Sequence, residues 1–124
     1  TGKLTGNAIR VPTPNVSLAV MSLTVEKNDL KKDDVNEFLR LTAFNSKYRE
    51  IVGFVNSTEI VSSDFYSSPF ASVIDSQATI VSDNKITLYC WYDNEYGYSV
   101  QVVNLVKNIA GINLLRLPVN DWNY

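Results

Sequence analysis

A chain of 124 residues, 45% hydrophobic and 19% charged, holds enough apolar material for one modest core. Its formal charge is −2 and no basic run stands out, so neither nucleic acid nor an anionic membrane is expected as a partner. With no histidine and a single cysteine, Cys90, a Cys/His pair, a Ser/His/acid triad, a usual zinc site and an internal disulfide are excluded within this chain.

Val11 and the residues before it suggest a first strand, and Pro12 and Pro14 force an extended break after it. Arg10 is a lone cation between apolar Ile9 and Val11. Such a side chain is usually solvated at a strand end. A planar guanidinium also matches phosphate in a bidentate way, so Arg10 is a candidate oxyanion clamp. Residues 16–26 read as a second strand, with Ala19, Met21, Leu23 and Val25 alternating onto one face.

Residues 29–34 are a polar connector in which Asp33 and Asp34 suit the positive end of the helix that follows. Val35, Phe38, Leu39 and Thr42 give that helix an apolar stripe for core packing. Residues 51–55 read as a short strand, where Gly53 either permits a close backbone approach or simply weakens the strand. Residues 58–65 suggest another short strand running into a polar turn. Asp64 and Asp75 invite comparison with an acid–base pair, but Asp and Ser more commonly satisfy nearby backbone groups in turns. Residues 72–81 form a further strand, and Ser82-Asp83-Asn84-Lys85 supplies the turn of a hairpin with residues 86–92.

The last strand, I-T-L-Y-C-W-Y, encloses Cys90 between Tyr89 and Trp91, as expected of a buried structural thiol. It runs into a helix in which Val102, Val103, Val106, Ile109 and Ala110 recur at helical spacing, with Gln101, Asn104, Lys107 and Asn108 on the other face. Asp93, Asn94 and Glu95 stand at the mouth of this strand–helix turn. Either Asp93 caps the helix while Asn94 and Glu95 are solvated, or the side chains converge on a ligand at the end of the sheet. Gly111 is a plausible helix C-cap. Beyond it, Leu114, Leu115, Leu117 and Trp122 make an apolar tail expected to dock on this domain or on a neighbouring subunit. Pattern alone gives at least five strands and two helices in a strand-rich α+β arrangement.

Three stretches carry a family resemblance. W-Y-D-N-E-[aromatic]-G-Y-S at 91–99 resembles the signature near the end of the glyceraldehyde-3-phosphate dehydrogenases. K-L-T-G-x-A-x-R-V-P-T-P-N-V-S at 3–17 and V-S-S-D-F at 61–65 are similar to other parts of the catalytic domain of that family. Asn7 and Ile9 stand where the family more often has methionine and a larger apolar residue. The resemblance spans residues 2–111, and it implies that 1–111 is the C-terminal portion of the catalytic domain. Residues 112–124 form a tail that departs from the usual family ending.

The fold it implies is an α+β domain with a mixed, largely antiparallel sheet. Helices cover one face of that sheet, and the other face helps to build a tetramer. The activity it implies for an intact parent is the glycolytic, phosphorylating oxidation of glyceraldehyde 3-phosphate with NAD or NADP, in the cytoplasm. Residue by residue, Arg10 inherits contact with substrate-derived or inorganic phosphate. Asn94 inherits a hydrogen bond to the nicotinamide carboxamide, and Tyr98 the support of that ring. The family's reactive cysteine (within S-C-T-T-N), its partner histidine and its nucleotide-binding half do not occur in this chain. No catalytic residue and no metal ligand is assigned, and the chain alone is expected to be inactive. A related dehydrogenase acting on erythrose 4-phosphate would share most of these motifs. A catalytically silent packing or interaction module is the reading of a different class.

Overall fold

The computed structural model describes residues 8–112. Five strands and two helices appear among them: β1 (Ser17–Thr24), α1 (Lys32–Asn45), β2 (Val52–Val55), β3 (Ser72–Asp75), β4 (Ile80–Ser82), β5 (Lys85–Tyr92) and α2 (Tyr96–Ile109). A single 3-10 turn at Ser62–Phe65 lies between β2 and β3. The sheet runs β1-β5-β3-β2, with β4 pairing β5 beyond β3. Only the β2–β3 pair is parallel, so the sheet is mixed and largely antiparallel.

β5 is the strand on which the others are hung. It pairs along its whole length with β1, from Ser17 opposite Tyr92 to Thr24 opposite Lys85. Its other edge is shared by β3 near Trp91 and by β4 near Ile86. Residues 72–81, read from pattern as one strand, are thus two. The break has a cause: the Asp75 carboxylate accepts the Ala78 N–H at 3.1 Å, and the Ser76 hydroxyl donates to the Val55 carbonyl at 2.9 Å. Side-chain hydrogen bonds, one accepted by Asp75 and one donated by Ser76, take the place of the ladder there. The β4–β5 hairpin turns at Asp83, which takes the left-handed φ of +55° that such short connections demand.

Alternation along the strands divides the core in two. On one face Ile74, Ile86, Leu88 and Cys90 pack with Val35 and Leu39 of α1, joined by Ala19, Val52 and Phe54. On the other face Val73 packs with Val16 and Phe65, and the Phe65 ring lies nearly parallel to Trp91 at a centroid distance of 5.3 Å. Helix α1 therefore buries Val35, Leu39 and Ala43, spaced four apart, while Phe38 is 68% exposed. The expected stripe through Phe38 and Thr42 is displaced by about a third of a turn, because four-residue spacing keeps the buried row over the sheet. Gly53 packs close: a Cβ there would lie 2.9 Å from the Phe70 ring, so the glycine admits that ring.

Two other expectations fail for want of a ladder partner. Residues 8–11 form no strand, and Ile9 and Val11 are exposed. Residues 58–61 are likewise irregular, and Asp64 closes the 3-10 turn by accepting the Val61 N–H at 2.9 Å. β-propensity cannot supply the neighbouring strand that backbone pairing requires. Helix α2 ends as read from its sequence: Gly111 at φ +70° lets its own N–H reach the Asn108 carbonyl, while the Ile112 N–H reaches Lys107. The tail assigned to 112–124 lies outside the described residues from 113 onward.

Candidate functional site

The end of β5 and the start of α2 meet the start of β1, because the β1–β5 pair is antiparallel with Ser17 opposite Tyr92. Everything singled out in the sequence at residues 91–99 gathers at this end of the sheet. A cleft of about 420 Å³ lies there, lined by Ser17, Ala71, Tyr92, Asp93, Asn94, Tyr98 and Gln101. Asn94 and Tyr98 are brought together on its wall, both exposed, and Tyr98 is 71% accessible. Arg10 is not among the lining residues. It stands on the irregular segment that leads into β1, exposed and without an ion-pair partner among the described residues.

Asp93 is the organising group. It is 3% exposed, and its Oδ1 accepts the N–H groups of Glu95 at 2.9 Å and Tyr96 at 2.8 Å. Those are the donors a helix leaves open in its first turn, so Asp93 performs the capping expected of it. Its second oxygen accepts the Ser67 N–H at 2.9 Å. Bonding from the Tyr96 N–H outweighs the opposing effect of burial. With further help from Glu95, Ser67 and Asn15, it holds the Asp93 carboxyl at a pKa of about 2. The group is therefore an anion at any physiological pH, an acceptor and not an acid.

Gly97 sets how closely α2 approaches the body. A Cβ at this position would fall 2.5 Å from the Phe70 carbonyl oxygen and 3.2 Å from that of Ser68. Gln101, one turn on, donates to the Pro69 carbonyl at 2.9 Å. The side of α2 turned inward thus carries Gly97, Gln101 and Asn104, while Val102, Val103, Val106 and Ile109 are exposed among the described residues. Helical periodicity separated these two faces but did not say which one the rest of this chain would cover.

The remaining candidates resolve simply. Cys90 is 2% exposed in the core, and burial pushes its thiol up, the reverse of an activated nucleophile. Asp64 and Asp75 hold separate turns: Asp75 accepts from Ala78 and, at 3.4 Å, from the Trp91 indole. They are not an acid–base pair. Sequence reading missed Asn15, Ser67, Gln101 and Gly97 as parts of this region. Asn15 adjoins the proline break, a usable signal, whereas Ser67 lies in a serine-rich turn with nothing to mark it.

The arrangement is an α+β unit whose strand–helix turn offers a carboxamide and a phenol to a cleft. The chain also matches the model of the family described as glyceraldehyde 3-phosphate dehydrogenase, C-terminal domain, over residues 1–94, and it belongs to that family. It is 53% identical over 94% of its length to a glyceraldehyde-3-phosphate dehydrogenase-like protein of Pseudomonas aeruginosa, covering 25% of that protein. It is 44% identical over 88% of its length to a chloroplastic glyceraldehyde-3-phosphate dehydrogenase of Arabidopsis thaliana, covering 24% of it. Against glyceraldehyde-3-phosphate dehydrogenase 2 of Bacillus subtilis the identity is 40% over 88% of the chain and 32% of the relative. The chain thus spans about a quarter to a third of the length of these curated relatives.

Proposed function

We propose that this chain supplies the phosphate-binding and nicotinamide-orienting residues of a phosphorylating glyceraldehyde-3-phosphate dehydrogenase. The observation that carries the reading is the placement of Asn94 and Tyr98 on one cleft wall by a turn that buried Asp93 pins. Such a pinned turn presents Asn94 with little orientational freedom left to lose when a ligand binds. The Asn94 side chain offers one acceptor and two donors, the complement of a carboxamide. Tyr98 supplies a flat apolar surface beside it. When bound, NAD or NADP supplies the hydride acceptor. The chain's own residues then hold its amide group and fix which ring face is presented.

Arg10 takes phosphate, either inorganic or that of glyceraldehyde 3-phosphate, through its exposed guanidinium. Nucleophilic chemistry belongs to the part of the family's enzyme that holds cysteine and histidine, since this chain has no histidine and its one thiol is buried. By itself the chain is inactive. The same reading carries a glycolytic, cytoplasmic role and a homo-oligomeric parent, tetrameric in its assembled form.

In an enzyme carrying this domain, Asn94→Ala should raise the KM for NAD about fivefold or more, the worth of one hydrogen bond or slightly more, with the KM for phosphate unchanged. Arg10→Ala should do the converse. Unaltered cofactor kinetics in Asn94→Ala would remove the assignment.

A further inference from the structure

Asp93, Gly97 and Gln101 are spaced four apart, so they fall in one row along the start of α2. All three meet the same loop. The Asp93 carboxylate accepts the Ser67 N–H at 2.9 Å. A Cβ on Gly97 would collide with the Phe70 carbonyl oxygen, and the Gln101 Nε2 donates to the Pro69 carbonyl at 2.9 Å. Asn94 and Tyr98, again four apart, form the neighbouring row, and that row lines the cleft.

The loop is held by the body of the domain. At one end the Phe65 ring stacks on Trp91. At the other the Phe70 ring packs over Gly53, and the Ala71 N–H reaches the Ile51 carbonyl at 2.8 Å. Between these anchors Ser67 takes φ +59°, a left-handed conformation that a residue with a side chain keeps only where its surroundings fix it. Loop 67–70 is thus the fixed member, and α2 is aligned on it.

We infer that Gln101 is a positioning residue whose bond to the Pro69 carbonyl sets the tilt of α2 and so aims Asn94 and Tyr98 into the cleft. Asp93 ties down the turn before the helix, and Gly97 sets the distance of approach. A helix held only at its first turn can swing away from the body. A bond one turn further on, about 6 Å along the axis, stops that swing. The inference deepens the function proposed above and rests on it only for what Asn94 and Tyr98 bind. The seating of α2 on the loop is a property of this chain.

Gln101 itself lines the cleft, so direct contact with a ligand is the competing role, and two variants separate the roles. Gln101→Met keeps the length of the side chain and removes the donor. Pro69→Gly leaves the cleft lining unaltered and loosens the loop to which Gln101 is bonded. Pro69 is exposed, so no core packing is lost with it.

Amide hydrogen exchange on the 124-residue chain reads the seating without any ligand. Both variants should speed exchange at Ser67, Glu95 and Tyr96, the three N–H groups that meet the Asp93 carboxylate, by about fivefold. Wild-type rates at all three in Gln101→Met would mean that Gln101 does not hold α2, and the inference fails. Kinetics in an enzyme carrying the domain supply the second readout, with NAD and inorganic phosphate as the probes. Both variants should raise the KM for NAD about fivefold and leave that for phosphate unchanged. A rise in both KM values would mark a general loss of structure and overturn the positioning role. Altered exchange with an unchanged NAD KM in both variants would overturn it too. If Gln101→Met raises the NAD KM and Pro69→Gly does not, Gln101 touches the ligand itself and the inference is refuted. If Asn94→Ala leaves the NAD KM unchanged while the exchange pattern holds, the functional reading fails and the seating of α2 stands.

Discussion

Replacing Gly97 with alanine tests whether the approach of α2 is set by backbone contact. In an unencumbered helix interior this change stabilises by up to about 1 kcal/mol, since alanine loses less conformational freedom than glycine. Here the added methyl meets the Phe70 carbonyl oxygen at 2.5 Å, about 0.9 Å inside ordinary contact, with the Ser68 carbonyl at 3.2 Å behind it. Both obstacles are main chain and cannot swing aside as a side-chain terminus would. Overpacking of this kind costs about 1–3 kcal/mol, which outweighs the propensity gain and leaves a net loss of about 1–2 kcal/mol. The first turn of α2 must tilt outward, carrying the Asp93–Tyr96 cap with it. Urea unfolding followed by tryptophan fluorescence should show a lower midpoint with an unchanged slope. Gly111→Ala is the useful comparison, because that site has open space around it and only its φ of +70° to lose. Amide exchange at Glu95 and Tyr96 should quicken in Gly97→Ala and stay unchanged in Gly111→Ala. A Gly97→Ala chain as stable as the wild type would refute the packing account of α2.

Acid should uncouple the Asp93 knot in a defined window. Its folded pKa of about 2 lies below the ordinary 3.8, so its contribution to stability is complete above about pH 4 and is lost as pH falls through about 2. Asp93→Asn should flatten the pH dependence of the urea midpoint between those limits, and an identical slope in both proteins would count against the bonding described. Phe65→Ala should cost about 3–5 kcal/mol, since it empties a 5%-exposed site and removes the ring stacked on Trp91. Its tryptophan emission should shift to the red, and a loss below about 1 kcal/mol would mean that the second core is not cohesive.

Much of this was legible in the chain itself. Alternating apolar residues marked β1, β-branched and aromatic content marked β5, and Asp83 with Asn84 marked the hairpin between β4 and β5. Gly111 marked the end of α2, and the Asp93 cap was evident from an acceptor placed between strand and helix. These are local matters, decided by steric preference and by donors within a few residues. The two strands expected before Pro12 and before Ser62 were misjudged for the converse reason. Ile9, Val11, Ile60 and Val61 have suitable side chains, but a strand exists only where another backbone lies alongside.

Residue pattern by itself determined the α+β class, the seat of Cys90 in the core and the turn on which Asn94 and Tyr98 stand. It also carried the resemblance that marked Arg10, because those motifs are contiguous in the chain. Only the tertiary structure decided that Val35, Leu39 and Ala43 form the buried row of α1, and that α2 turns Gly97 and Gln101 inward. Only there does one carboxylate collect donors from residues 67, 95 and 96. Separation in sequence hides such a meeting, since no local preference of Ser67 refers to Asp93. The antiparallel register of β1 on β5 likewise places the start of one strand at the end of the other, and so brings Ser17 to the cleft that Asn94 lines.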